Sequence, residues 1–333
     1  MKKILFLTGT RADFGKIKSL IYILDNHPDF EVSLFVTGMH LQELYGYTLI
    51  EIHKCQFKNI SIHTFENYTH ETTMDLTLAK TIEGLSAYAK SFNPDMIVIH
   101  GDRVEALAGA IVGSLNNILV AHIEGGEVSG TIDELIRHST SKMSHVHFVS
   151  NDSAKKRLIQ MGELEEAVFT IGSPDVDIMF GENLPDLETA KNYYEIVFDQ
   201  YAVAMFHPVT TEADQMEEYA NHFVDALLAD SNNYVVVYPN NDLGSSVILK
   251  AYGRLKNNTR FRIFPSLRFE YFLTLLKNSQ FIIGNSSAGV REAPYYGLPI
   301  INIGTRQQNR AIHADIIHAD YHNENILKAL EPV

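Results

Sequence analysis

The chain has 333 residues, enough for two domains of ordinary size, and its 45% apolar and 20% charged residues exclude a disordered, collagen-like or disulfide-stapled protein. Against 27 basic side chains stand 41 acidic ones, a formal charge of −14, and a field of that sign repels nucleic acid and anionic membrane surfaces as partners. The one cysteine, Cys55, allows no intrachain disulfide, as expected of a cytoplasmic protein.

The chain opens on a short apolar run at 4–7 that stops at Thr8-Gly9-Thr10-Arg11, too short for the core of a secretion signal. No run approaches the roughly eighteen apolar residues of a membrane-spanning helix. Further short apolar runs follow at 32–36, 96–99, 118–121, 146–149 and 168–171, with amphipathic stretches between them at 16–24, 74–92 and 104–115. Buried runs alternating with helices predict a parallel sheet covered on both faces. The pattern restarts after Gly172-Ser173-Pro174, with runs at 203–206, 234–238, 261–264, 281–283 and 300–303. We therefore expect an α/β protein of two Rossmann-like domains, 1–172 and 173–333, facing a cleft. Ligands of open α/β sheets sit at the carboxyl ends of strands, so the segments just after each run carry the functional information.

The first run leads into Gly9-Thr10-Arg11-Ala12-Asp13-Phe14-Gly15-Lys16. Five residues separate the two glycines where a phosphate loop has four, and Ile17 stands where it has Ser or Thr. A nucleotide triphosphatase is excluded on that ground, and no G-x-G-x-x-G supports a nicotinamide site. Arg11 and Lys16 then read as an anion clamp at a helix start, or as solvated charges on an ordinary turn. After the run at 96–99 comes His100-Gly101-Asp102-Arg103. Asp102 is either a site carboxylate or a helix cap.

The densest cluster follows the run at 118–121: His122-Ile123-Glu124-Gly125-Gly126-Glu127, then Asp133 and Arg137. Asp133 and Arg137 are spaced i, i+4, the spacing of a surface ion pair or of two groups aimed at one ligand. Glu124 ends a buried run, where a carboxylate is costly unless paired or functional. Asp102, Glu124 and Asp133 all stand at or just past strand ends, and converging carboxylates suit acid/base chemistry. His145-x-His147 has metal-pair spacing but no third ligand at useful distance, so it reads as a strand edge with one histidine inward.

In the second half, His207 follows the run at 203–206 and Asn240 that at 234–238. The run at 281–283 leads into Gly284-Asn285-Ser286-Ser287, with Glu292 about one and a half turns along the expected helix. Two serines at a helix start suit a diphosphate, and a carboxylate beyond them suits a ribose; the plain alternative is a capped helix with an exposed Glu. Gly304-Thr305-Arg306-Gln307 adds one more strand-end cation.

Taken in order, Gly9-Thr10-Arg11-Ala12-Asp13, His100-Gly101-Asp102-Arg103, His122-Ile123-Glu124-Gly125-Gly126-Glu127, Ile132-Asp133, Arg137-His138, His207-Pro208-Val209-Thr210, Gly284-Asn285-Ser286-Ser287, Arg291-Glu292 and Gly304-Thr305-Arg306-Gln307 resemble the hydrolysing UDP-N-acetylglucosamine 2-epimerases. The likeness spans essentially the whole chain and is strongest to the bacterial enzymes of sialic acid synthesis. It implies a glycosyltransferase-B-type fold, with UDP-N-acetylglucosamine or UDP as ligand. It implies elimination of UDP to an acetamidoglucal and hydration to N-acetylmannosamine, the first step toward sialic acid, and it implies no metal and no cofactor. On the matching positions Asp102, Glu124 and Asp133 would be the acid/base carboxylates, and His207 would assist the leaving diphosphate together with Arg11 and Arg103. Ser286, Ser287 and Arg306 would hold the phosphates, Glu292 the ribose, and Asn240 the nucleotide end. Lys16 and Arg137 are further candidates for binding the substrate. The same chemistry on a related UDP- or GDP-linked aminosugar, or a retaining glycosyltransferase of this fold, are the alternatives. By resemblance the enzyme is a homodimer or homotetramer, and its relatives continue for some tens of residues past the equivalent of Val333.

Overall fold

The computed structural model describes residues 1–65, 72–182, 184–308, 310 and 316–333. Its first sheet contains β1 (Lys2–Thr8), β2 (Phe30–Val36), β3 (Ile60–Ile62), β4 (Met96–His100), β5 (Leu119–Ile123), β6 (Val146–Val149) and β7 (Val168–Thr170). They lie side by side in the order β3-β2-β1-β4-β5-β6-β7, and every pairing is parallel. The second sheet contains β8 (Ala202–Met205), β9 (Tyr234–Val237), β10 (Phe261–Phe264), β11 (Ile282–Gly284), β12 (Ile300–Ile303) and β13 (Ile316–Ala319). Its order is β10-β9-β8-β11-β12-β13, again all parallel.

The apolar runs are continuous because both faces of each sheet are covered. On β1, Ile4 and Phe6 enter one core while Leu5 and Leu7 enter the opposite one. On β9, Tyr234 and Val236 face one core and Val235 and Val237 the other. Alternation along these two strands therefore divides their residues between two dry interiors.

Two strands escape the sequence reading, β3 and β13. Both are edge strands of three and four residues, each with only one neighbour to cover it, so a polar residue (Ser61, His318) breaks the apolar run. His147 points inward as expected and is fully buried, but β6 lies between β5 and β7 and is no edge. Its ring bonds the Glu163 carboxylate at 3.2 Å, while His145 Nδ1 accepts the Val120 N–H at 3.1 Å.

The chain separates into two compact units, Met1–Glu127 with Asp133–Asp177, and Val128–Ile132 with Ile178–Val333. The main division thus follows Asp177, slightly past the Gly172-Ser173-Pro174 break read from the sequence. Among the described residues no helix is long and apolar enough to cross a membrane.

Each sheet reverses its strand order once, between β1 and β4 in the first and between β8 and β11 in the second. At such a point the connections leave in opposite directions, and the strand ends open a crevice. At the second reversal the backbone of Gly284 has φ +134°, and a Cβ there would stand 1.9 Å from the Met205 carbonyl oxygen. Only glycine lets β11 pass β8 so closely.

At the end of β1, buried polar groups form a chain of hydrogen bonds. Thr8 Oγ donates to Asp13 at 2.5 Å and lies 2.9 Å from His40 Nε2, while Thr48 Oγ lies 2.6 Å from His40 Nδ1. Asp13 also accepts the Gly9 N–H at 3.0 Å and completes a capping box with Thr10. Burial pushes the Asp13 carboxyl up, against the pull of those hydrogen bonds. Burial also pushes His40 and His122 down to about 3. His122 Nε2 donates to the Gly101 carbonyl at 2.8 Å and its Nδ1 lies 2.9 Å from Ser141 Oγ, so the neutral ring ties the end of β4 to that of β5.

Two stability predictions follow from this geometry. Gly284→Ala should cost roughly 3–5 kcal/mol, from strain and overpacking together. Gly297→Ala, whose Cβ meets nothing within 4 Å, should cost about 1–2 kcal/mol from its left-handed backbone alone. Equal losses in urea titrations would show that β8 and β11 simply move apart. The second prediction concerns acid. Unfolded His40 and His122 take up protons near pH 6.5 while the native rings stay neutral to about 3, so stability present above 6.5 is lost as the pH falls. Between pH 7 and pH 5 each histidine should remove about 2 kcal/mol. Urea midpoints that do not change over that range would show that both rings protonate in the native state.

Candidate functional site

The first unit places its candidates at the carboxyl ends of β1, β4 and β5. Glu124 is the first residue after β5, and its backbone is left-handed at φ +63°, a conformation a non-glycine residue holds only under constraint. The constraint is visible: the Glu124 N–H donates to the Phe148 carbonyl at 2.8 Å, and the preceding Ile123 carbonyl accepts from Gly101 at 3.0 Å. The carboxylate is 2% exposed and is engaged at both oxygens. Ser173 Oγ donates to Oε1 at 2.6 Å, His100 Nε2 lies 2.9 Å from Oε2, and Lys16 Nζ lies 3.5 Å from Oε2.

Lys16 is not a solvated charge. It is buried on helix Arg11–Asp25 and pairs with Asp175 at 3.0 Å as well as with Glu124. Arg11 is the first residue of that helix, and its charge helps hold His40 neutral.

Asp102 does not cap a helix; the capping position of Val104–Leu115 is Arg103, which makes no side-chain cap bond. Asp102 instead pairs with the Arg137 guanidinium, whose other nitrogen donates to the Glu127 carbonyl at 3.1 Å. Arg137 is 2% exposed, so the surface-pair reading of Asp133 and Arg137 does not hold. Asp133 is itself buried in the first turn of helix Ile132–Lys142. Arg103 Nε approaches Glu105 at 3.9 Å. The glycines after Glu124 serve packing: a Cβ on Gly125 would meet Ser141 and His122, and one on Gly126 the Ala154 carbonyl.

The second unit gathers its candidates where β8 and β11 diverge. Asn285, fully buried, spans the reversal: its Oδ1 accepts the His207 N–H at 2.6 Å and its Nδ2 donates to the His207 carbonyl at 2.8 Å. His207 Nδ1 accepts the Asn240 N–H at 3.0 Å. A backbone donor on Nδ1 leaves the ring proton of neutral His207 on Nε2. Asn240 Nδ2 donates to Asp242 at the same loop, which orients the amide, and its buried Oδ1 has no hydrogen-bond partner. The Asn285 carbonyl accepts from Arg306 at 3.3 Å and from Gln307 at 3.0 Å, tying the loop after β12 to the same point.

The serine segment differs from expectation. Helix Ala288–Arg291 is a single turn, Glu292 closes it, and residues 293–296 continue as a 3₁₀ turn. Pro294 is the cause, since it lacks an N–H and its ring disfavours a continued α-helix. Glu292 is thereby a buried residue at a helix break instead of an exposed one along a helix. Ser286 Oγ accepts the Ala288 N–H at 3.2 Å, and Ser287 occupies the cap position.

Sequence reading missed Ser173, Asp175, Asn285 and Gln307. Asn285 and Gln307 offered a signal, polar residues directly after buried runs. Ser173 and Asp175 lay in a segment read only as a domain break. Among the described residues no group of three or more His, Cys, Asp and Glu side chains is arranged to hold a metal ion.

Known proteins resemble the chain over nearly its whole length. A UDP-N-acetylglucosamine 2-epimerase of Neisseria meningitidis serogroup B is 50% identical over 331 residues, covering 99% of this chain and 87% of that protein. A hydrolysing UDP-N,N'-diacetylbacillosamine 2-epimerase of Legionella pneumophila is 35% identical over 333 residues, covering 99% and 88%. In fold, the crystal structure of a Methanocaldococcus jannaschii UDP-GlcNAc 2-epimerase in complex with UDP-GlcNAc and UDP matches with a TM-score of 0.83 at 23% identity, over 100% of this chain and 92% of that one. The family model described as UDP-N-acetylglucosamine 2-epimerase matches residues 23–333, and the chain belongs to the UDP-N-acetylglucosamine 2-epimerase family.

Proposed function

We propose that the protein is a hydrolysing 2-epimerase that converts UDP-N-acetylglucosamine and water to N-acetylmannosamine and UDP. The observation that carries this reading is Glu124: a carboxylate held at both oxygens in a strained backbone at a strand end, in a chain of this family. Strain of that kind persists where the surrounding structure imposes it, and such places are commonly functional.

The chemistry needs a base, an acid and a seat for a leaving diphosphate. In the first step a carboxylate of the first unit takes the C2 proton, the C2–H electrons form the C1–C2 double bond, and the C1–O bond breaks to release UDP. In the second, a carboxylate takes one proton from water as its oxygen adds to C1, and C2 receives a proton on the opposite face. Asp102, Glu124 and Asp133 supply these proton transfers. Arg137 holds Asp102 by its guanidinium and keeps the carboxylate directed. The second unit takes the nucleotide: His207 Nε2–H, the Ser286 and Ser287 hydroxyls and Arg306 are donors suited to a diphosphate, and Glu292 and Asn240 suit the nucleoside. Arg11 and Arg103 add positive charge. The free sugar produced is the precursor class that sialic acid synthesis consumes.

Incubation with UDP-N-acetylglucosamine alone, followed by NMR, should show free N-acetylmannosamine with deuterium at C2 in D₂O. A glycosyltransferase would release no free sugar without an acceptor. Because one relative is a diacetylbacillosamine epimerase, that donor belongs in the same assay, and exclusive turnover of it would replace the proposed substrate. Asp102→Asn should keep UDP affinity and lose roughly 10²–10⁴-fold in turnover, the usual worth of a general acid or base. A rate near wild type would remove Asp102 from the proton transfers. Protein treated with EDTA should retain full activity, since the arginines neutralise the diphosphate and His207 donates to it; activity restored only by magnesium or manganese would overturn that assignment.

A further inference from the structure

We propose that Ser173 is a positioning residue for the acid/base carboxylate of Glu124, and that Asp175 holds Ser173 and Lys16 in place for that purpose; the inference rests on the role given to Glu124 above. Ser173 and Asp175 lie after β7, at the start of helix Pro174–Met179, among the last residues of the first unit. Ser173 Oγ stands 2.6 Å from Glu124 Oε1 and 3.1 Å from Asp175 Oδ2. The one hydroxyl proton is shared between the two carboxylates in a three-centre bond, with Glu124 at the shorter contact as its principal acceptor and Asp175 as the weaker one. Asp175 Oδ2 in turn stands 3.0 Å from Lys16 Nζ, which reaches Glu124 Oε2 at 3.5 Å. The contacts close a ring: Oε1, Ser173, Asp175, Lys16, Oε2.

The ring has two consequences. Both Glu124 oxygens are tethered, Oε2 also by His100, so the carboxylate can neither rotate nor withdraw without breaking a charge-assisted hydrogen bond. Proton transfer to carbon tolerates only fractions of an ångström in the position of the base, so this tethering bears on rate. Asp175 is also nearer to Lys16 than Glu124 is. It therefore shares the ammonium charge, and Glu124 keeps more of its capacity to accept a proton than if Lys16 were its sole counter-ion.

Ser173→Ala, Ser173→Thr and Asp175→Asn should be compared with the wild-type chain on UDP-N-acetylglucosamine, reading kcat, KM and the melting temperature. We expect Ser173→Ala to lower kcat roughly 10- to 100-fold with KM and melting temperature unchanged, and Asp175→Asn to lower kcat by a similar factor with KM unchanged but with a lower melting temperature, because Lys16 loses a buried counter-ion. Ser173→Thr, which restores the hydroxyl, should recover most of the loss. A Ser173→Ala variant with wild-type kcat would overturn the inference. So would a loss of kcat that tracks the melting temperature and that Thr does not rescue, since that marks a merely structural contact. A wild-type chain that forms no free sugar would instead overturn the proposed function, and the inference with it.

Discussion

At the point where each parallel sheet reverses its strand order, the crossover connections part and the polar ends of two strands are left together. Part of the candidate site of this protein stands at those two points. In the first sheet the reversal lies between β1 and β4, and there stand Gly9-Thr10-Arg11 and His100-Gly101-Asp102-Arg103. In the second it lies between β8 and β11, and there stand His207 and Asn285-Ser286-Ser287. Burial of both sheet faces forces polar groups out of the strands and gathers them at the strand ends.

The two units then meet the cost of buried polarity differently. The first uses charge: Glu124, Lys16 and Asp175 are all under 10% exposed, and Arg137 pairs with Asp102. Removing one member of such a set leaves another charge buried without its counter-ion, typically at about 3–5 kcal/mol, so these pairs hold one another in place. Charges that cannot move are suited to proton transfer, because the surroundings are already arranged for the charged state.

The second unit uses amides. Asn285 brackets both backbone groups of His207, the Asn240 N–H fixes the tautomer of its ring, and Arg306 and Gln307 both reach the Asn285 carbonyl. The neutral Asn285 amide aims the His207 ring without itself adding a negative charge. In a chain of net charge −14 that separation matters, since a diphosphate approaches an acidic protein only where donors and cations are gathered.

Much of this was legible in the sequence because strands buried on both faces are continuous apolar runs, and because polar residues immediately after them have few places to go. Those two regularities yielded the two α/β domains and the positions of Asp102, Glu124, His207 and Ser286. The edge strands β3 and β13 were not legible, since half-covered strands tolerate polar interruptions. Nor was the single-turn helix before Glu292, where Pro294 outweighs an otherwise helical pattern. Above all, partnership is a tertiary property. The chain brings Asp102 to Arg137 from 35 residues away, a pairing that no local spacing suggests. Glu124 receives Ser173 from 49 residues further on and Lys16 from 108 residues before. Periodicity determines which residues are buried and which stand at strand ends; only the folded chain decides which of those ends share a proton or a charge.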